Sequence, residues 1–276
     1  MKPARFEYRQ ARDSREISEA LLSDHAVKIV AGGQSLGPML NLRLVQPSLL
    51  IDITRLSELK SVDPSGDTIK VGACVTHANI EDYCVPGVTG RILSAIARGI
   101  AYRAVRNRGT LGGSLAHADP SADWISTLMA LNADLSIRNG TETRMLRLTG
   151  AMAGPFDIKL QQGEWIESVR IPVVSAGSGW GYTKIARKTG EFAHAMAAVL
   201  RDPDRQSLRI VLGATESSPV VFEEPLLSAQ DPDLADIQHK ALGLLEAAGI
   251  ADPIDNPVRL VALERAFKKS LHPISL

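Results

Sequence analysis

Two glycine pairs limit what this chain can fold into. Ala31-Gly32-Gly33-Gln34-Ser35 directly follows a short β-rich run, Val27-Lys-Ile-Val30. Thr110-Leu-Gly112-Gly113-Ser114 stands far along the chain from it. A backbone without Cβ lets a ligand approach closely and lets consecutive N–H groups point at an anion. Gln34, Ser35, Thr110 and Ser114 add hydrogen-bonding side chains. Brought together, the two segments would grip one pyrophosphate from both sides; kept apart, each is an ordinary tight turn. Neither contains the Gly-Lys-Ser/Thr of a P-loop, and neither is Gly-x-Gly-x-x-Gly, so no Rossmann site is expected. Gly177-Ser-Gly179-Trp-Gly181 precedes a strand-like run rather than a helix and reads as a loop.

The 276 residues suit one large domain or two modest ones, and 45 % apolar with 22 % charged residues is a globular composition. Lys+Arg and Asp+Glu are both 31. A chain of zero net charge is a poor general nucleic-acid binder, because such binding needs many cations facing phosphates. Only Cys74 and Cys84 are present. Two cysteines make no disulfide framework, fit a reducing compartment, and cannot supply the usual Cys set of an iron–sulfur cluster or structural zinc. The first sixteen residues include Arg5, Glu7, Arg9, Arg12, Asp13, Arg15 and Glu16, and no apolar run nears the roughly 20 residues of a bilayer span. We therefore expect a cytoplasmic protein without a membrane span.

Asp13-Ser-Arg-Glu16 resembles a capping box and predicts a helix over 14–23. Pro38 opens a short helix carrying Met39, Leu40, Leu42 and Leu44. Further helices are expected over 76–83, 88–98, 121–132, 234–248 and 256–271. Strands are expected at 27–30, 49–53, 68–73, 133–138, 164–171, 180–186 and 207–213, and 193–200 fits either state. The Pro-, Ser- and Gly-rich stretch 172–181 places a domain boundary near 175. Strands often follow one another directly, so the class is α+β rather than doubly wound.

Other constellations have two readings each. Arg98, Arg103, Arg106 and Arg108 form an anion or docking site, or a solvated face. Tyr102 stacks on a flat ligand or fills the core. His117, Asp119 and Asp123 offer ligands for a divalent ion, but Pro120 interrupts them and no second cluster completes the set. A Ser114/His117 nucleophile pair lacks the Gly-x-Ser-x-Gly elbow. Lys184-Ile-Ala-Arg-Lys188 with Gly190-Glu-Phe192 is a basic edge strand and turn, or part of a binding site.

Taken in order, Ala31–Ser35, Arg106-Asn-Arg-Gly-Thr-Leu-Gly-Gly-Ser114, His117-Ala-Asp-Pro-Ser-Ala-Asp123 and Lys184 through Phe192 resemble the FAD-binding medium subunit of molybdenum hydroxylases, the xanthine dehydrogenase / carbon monoxide dehydrogenase family. The resemblance runs from Phe6 to the terminal helix. It implies a two-subdomain, vanillyl-alcohol-oxidase-like (PCMH-type) FAD-binding domain over 1–175, then a C-terminal domain over 176–276 with a small, three-stranded antiparallel sheet and helices. It implies that Ala31, Gly32, Gly33, Gln34, Ser35, Thr110, Gly112, Gly113 and Ser114 hold the FAD pyrophosphate. Thr76, His77, Tyr102, Asp123, Ile166 and Lys184 would line the site, with Phe192 near the isoalloxazine. It assigns no catalytic or metal residue to this chain. Gly154-Pro-Phe-Asp-Ile158 departs from the family pattern, which often carries a Thr there.

The implied role is electron transfer: FAD takes electrons from [2Fe–2S] clusters on a small partner subunit and passes them to an acceptor. A large molybdopterin subunit, not this chain, would oxidise substrate. The implied assembly is a dimer of heterotrimers. Alternatives are a stand-alone FAD oxidase, a metal-dependent hydrolase, and an interaction subunit without flavin. The residues after 175 are few for an oxidase capping domain, no flavin-linking His lies within 31–46, and the glycine pairs are intact.

Overall fold

The computed structural model describes residues 2–23, 25–226 and 232–274. The N-terminal unit is a small parallel sheet. β1 (Glu7–Gln10) and β2 (Val27–Val30) flank β3 (Leu49–Asp52), with Leu49 in register with Glu7 on one side and Val27 on the other. The crossover is α1 (Ser14–Leu22). The Asp13 side chain accepts from the Arg15 and Glu16 N–H groups, and Glu16 reaches back to the Arg12 N–H, much as the capping pattern predicts. α2 (Leu36–Asn41) follows β2. Ile17, Leu49, Ile51, Ile53, Leu59 and Trp165 form the core of this unit.

The second sheet is antiparallel, in the order β4 (Val62–Ser65), β5 (Thr68–Gly72), β10 (Trp165–Pro172), β6 (Asp134–Asn139), β7 (Glu142–Arg147). A hairpin, β8 (Met152–Gly154) with β9 (Asp157–Ile158), lies in the β7–β10 connection. Between β5 and β6 run α3 (His77–Glu81), α4 (Gly87–Arg98), α5 (Arg103–Arg106), α6 (Leu111–His117) and α7 (Asp123–Ala130). Every residue of α7 is buried, not only the apolar face that its sequence predicts. The reason is position: α7 lies within the main core and also packs on the C-terminal sheet.

That third sheet is four-stranded, β11 (Gly179–Ile185), β12 (Ala195–Asp202), β13 (Ser207–Gly213) and β14 (Val220–Pro225), all antiparallel neighbours. It corrects the expected three strands. The ambiguous stretch 193–200 is the buried central strand β12, whose alanines and valine leave room for packing on both faces. Gly179 and Gly181, read as loop, lie in β11. α9 (Asp255–Ser270) crosses there so closely that a Cβ on either would stand 1.7 Å from the Ser270 or Ala266 carbonyl oxygen. α8 (Leu234–Ala247) packs beside α9.

Candidate functional site

The two glycine segments meet. β2 ends at Val30 and the chain turns through Gly33, whose φ of +69° suits glycine. A Cβ on Gly32 would lie 2.0 Å from the Arg108 carbonyl oxygen, so the segments pack backbone on backbone. Thr76 and Thr110 form an antiparallel bridge. The His77 N–H donates to the Gly109 carbonyl at 2.9 Å, and the Leu111 and Gly112 N–H groups donate to the Val75 and Ala73 carbonyls at 3.0 and 2.9 Å.

The second segment is not a turn but the start of α6. Thr110 caps it, its Oγ1 accepting from the Gly113 N–H at 3.1 Å. The two glycines then differ. A Cβ on Gly112 would strike Ala73 at 2.4 Å, whereas Gly113 is exposed and its Cβ would meet only Thr110 Oγ1, at 2.8 Å, with Ala31 at 4.0 Å. Ser114 is half-buried, and exposed Gln34 donates back to the Gly32 carbonyl at 3.0 Å. Ser35 precedes α2 without a side-chain capping bond.

Beside the junction is a cleft of about 230 Å³ lined by Ala31, Gly32, Thr76 and Thr110 and also by Thr54, Lys60, Cys74, Asn107 and Arg108. Of the last five, only Arg108 was a candidate from sequence, within the arginine run read as an anion or docking site or a solvated face; Thr54, Lys60, Cys74 and Asn107 were not. Only Asn107 and Arg108 carried a signal, through their place in the second glycine motif. Lys60 and Arg108 are exposed cations facing an otherwise neutral lining. Burial pushes the Cys74 thiol up to about 12, so it remains protonated near neutral pH.

Thr76 caps α3 and places His77 in the interior. His77 Nδ1 accepts from the Trp124 indole N–H at 3.1 Å, which leaves the proton of the neutral ring on Nε2. Burial, aided by the Arg106 charge, pushes its pKa down to about 4.

Asp123 and Lys184 are also joined. Lys184 Nζ lies 2.9 Å from Asp123 Oδ1, and the Tyr182 hydroxyl donates to the same carboxylate at 2.7 Å. Lys184 Nζ donates to the Gly99 carbonyl as well, at 3.1 Å. Burial and the Asp123 charge raise the Tyr182 pKa well above its ordinary value. The carboxylate therefore faces a lysine and a phenol. Among the described residues, the one close group of metal-ligating side chains is Glu216, Asp252 and Asp255, so His117, Asp119 and Asp123 are not gathered. The His117 ring instead lies 5.2 Å from Phe156.

Tyr102 is 73 % and Phe192 62 % exposed, and their segments are tied by a parallel bridge between Ile100 and Gly190. Ile166, in contrast, is buried in β10 opposite Ile137, within the main core. The arginine run is not a uniform solvated face. Arg103 pairs with Glu81 and Asp82, and Arg106 is buried against Glu81.

This arrangement is a glycine-lined junction with a cationic cleft and two exposed aromatic rings on linked segments. The family described as the FAD-binding domain in molybdopterin dehydrogenase matches residues 4–174. The chain belongs to this family. Its α+β fold agrees: a carbon monoxide dehydrogenase structure from Hydrogenophaga pseudoflava contains a chain that superposes with a TM-score of 0.86 at 30 % identity, covering 98 % of this chain and 99 % of that one. The nicotine 6-hydroxylase medium subunit of Paenarthrobacter nicotinovorans is 35 % identical over 216 residues, 77 % of this chain and 76 % of that one. The 6-hydroxypseudooxynicotine dehydrogenase complex subunit alpha of the same organism is 35 % identical across 99 % of this chain and 96 % of its own length. The protein is thus an FAD-binding component of an oxidoreductase. Its residues fit that cofactor: Gly113 leaves its outer face open, the cleft carries cations for phosphates, and two aromatic rings are free for a flat ring system.

Proposed function

We propose that this chain is the medium subunit of a molybdenum hydroxylase, taking electrons from [2Fe–2S] clusters of a small partner and delivering them to an external acceptor. The observation that carries the reading is the backbone contact of Gly32 with Arg108, which joins the two glycine segments at one cleft. In this reading Ala31–Ser35 and Thr110–Ser114 hold the pyrophosphate, with Lys60 and Arg108 screening its charge. Thr76 and His77 form the wall behind. Tyr102 and Phe192 flank the isoalloxazine, Asp123 with Lys184 lines the site, and Ile166 backs it only from within the core. Bound FAD supplies the exchange between one- and two-electron transfer; the protein binds and orients it. The chain forms a 1–175 FAD-binding domain and a 176–276 C-terminal domain. A large molybdopterin subunit carries out substrate oxidation, and the assembly is a cytoplasmic dimer of heterotrimers. Among the described residues no helix is long and apolar enough to cross a membrane.

The test is optical and chemical. The purified chain should bind one FAD, and acid precipitation should release all of it, because residues 31–46 hold no His and the nearby Cys74 and His77 are buried, the thiol protonated and the imidazole bonded to Trp124. Absence of FAD binding would refute the reading; flavin retained in the pellet would refute the non-covalent attachment. Substrate oxidation by this polypeptide with FAD alone would favour a stand-alone oxidase.

A further inference from the structure

The segment between α4 and α5 offers three successive carbonyls to two cations, Arg106, which is buried, and Lys184, which is partly buried. Gly99 O accepts from Lys184 Nζ at 3.1 Å; Ile100 O and Ala101 O accept from Arg106 Nη1 at 2.8 and 3.0 Å. Arg106 uses its other edge on Glu81, with Nε at 2.8 Å and Nη2 at 3.2 Å from the two carboxylate oxygens. Four donors of one guanidinium are therefore fixed by two elements, α3 and the 100–101 turn. Ala101 has φ of +42°, a conformation that disfavours side chains and is held here by those bonds. Tyr102 follows at once. On the opposite side Gly190, φ +87°, lies so close that its Cβ would stand 2.8 Å from the Ala101 oxygen, and Phe192 is two residues beyond.

We propose that Arg106, anchored by Glu81, is a positioning residue for the flat ring of the flavin. It fixes the 100–101 turn, which places Tyr102 and, through the contact of Ala101 with Gly190, Phe192. This inference rests on the FAD reading above. Arg106 touches no part of the cofactor in it and acts only through the backbone. A lysine at 106 keeps the charge but cannot hold Glu81 and two carbonyls together.

The test uses the full chain with two ligands, FAD and ADP, which lacks the isoalloxazine. In Arg106→Lys, the FAD Kd should rise about tenfold while the ADP Kd stays within about twofold of the parent. The fluorescence of bound flavin should also rise, because a stacked tyrosine quenches it. Gly190→Ala strikes the Ala101 carbonyl from the other side, leaves the Arg106–Glu81 ion pair in place, and should give the same selective loss; it decides the matter if Arg106→Lys fails to fold. Equal loss of both ligands in Gly190→Ala, or wild-type FAD affinity and fluorescence in either folded variant, would overturn the proposal. Failure of the unmodified chain to bind FAD would instead refute the cofactor reading.

Discussion

At the residue scale, neighbouring glycines do different work. Gly112 faces Ala73 and Gly113 faces outward. Gly112→Ala should destabilise the fold by about 2 kcal/mol or more, since the overlap involves backbone that cannot retreat. Gly113→Ala should lower the Tm less than Gly112→Ala, by about the 1 kcal/mol of a disturbed Thr110 cap, yet lose FAD affinity. Gly113 does not have a positive φ, so any penalty there comes from Thr110 and the cofactor rather than the backbone. Thermal unfolding beside FAD titration separates the two. His77 gives a second prediction. Its folded pKa, about 4, lies below the ordinary 6.5, so between those values the unfolded chain binds the proton and the folded one does not. Stability therefore falls as pH drops through that window, by up to about 3 kcal/mol. In His77→Gln, whose amide oxygen can still accept from Trp124, urea unfolding between pH 6.5 and 4 should show a flatter dependence. An unchanged slope would exclude a buried neutral His77.

At the scale of elements, the Asp123–Lys184 pair joins the start of α7 to β11 and so couples the first 175 residues to the C-terminal sheet. Both side chains are nearly buried, at 8 % and 12 % exposure. Removing one partner strands the other charge, so Asp123→Leu or Lys184→Met alone should cost about 3–5 kcal/mol. The double variant should be more stable than either single one, because no charge is left unpaired. A double-mutant cycle in urea checks this; additive losses would refute the coupling. Helix and strand positions with strong local signals were legible: the α1 cap, the β2 run, and the apolar period of α7. The edge strands β4, β7 and β14 were not expected. They carry exposed polar or charged positions and lack the continuous apolar run of a strand buried on both faces.

At the scale of the molecule, two cysteines in 276 residues leave an iron–sulfur relay to other chains. Native mass spectrometry of the complex from its source should therefore show two further polypeptides, one carrying [2Fe–2S] clusters and one molybdenum. A homogeneous assembly of this chain that is active with substrate would contradict the proposed role.

The sequence by itself determined the α+β class, most element positions, the paired glycine motifs and the family they resemble, because backbone propensities, caps and periodic burial act over a few residues. Tertiary structure decided what those motifs face. The contact of Gly32 with Arg108, the His77–Trp124 bond, the Arg106–Glu81 pair and the Asp123–Lys184 pair each join residues far apart in the chain. No local pattern marks such partners. They are selected when packing buries a charge or a donor and only one complementary group lies within reach.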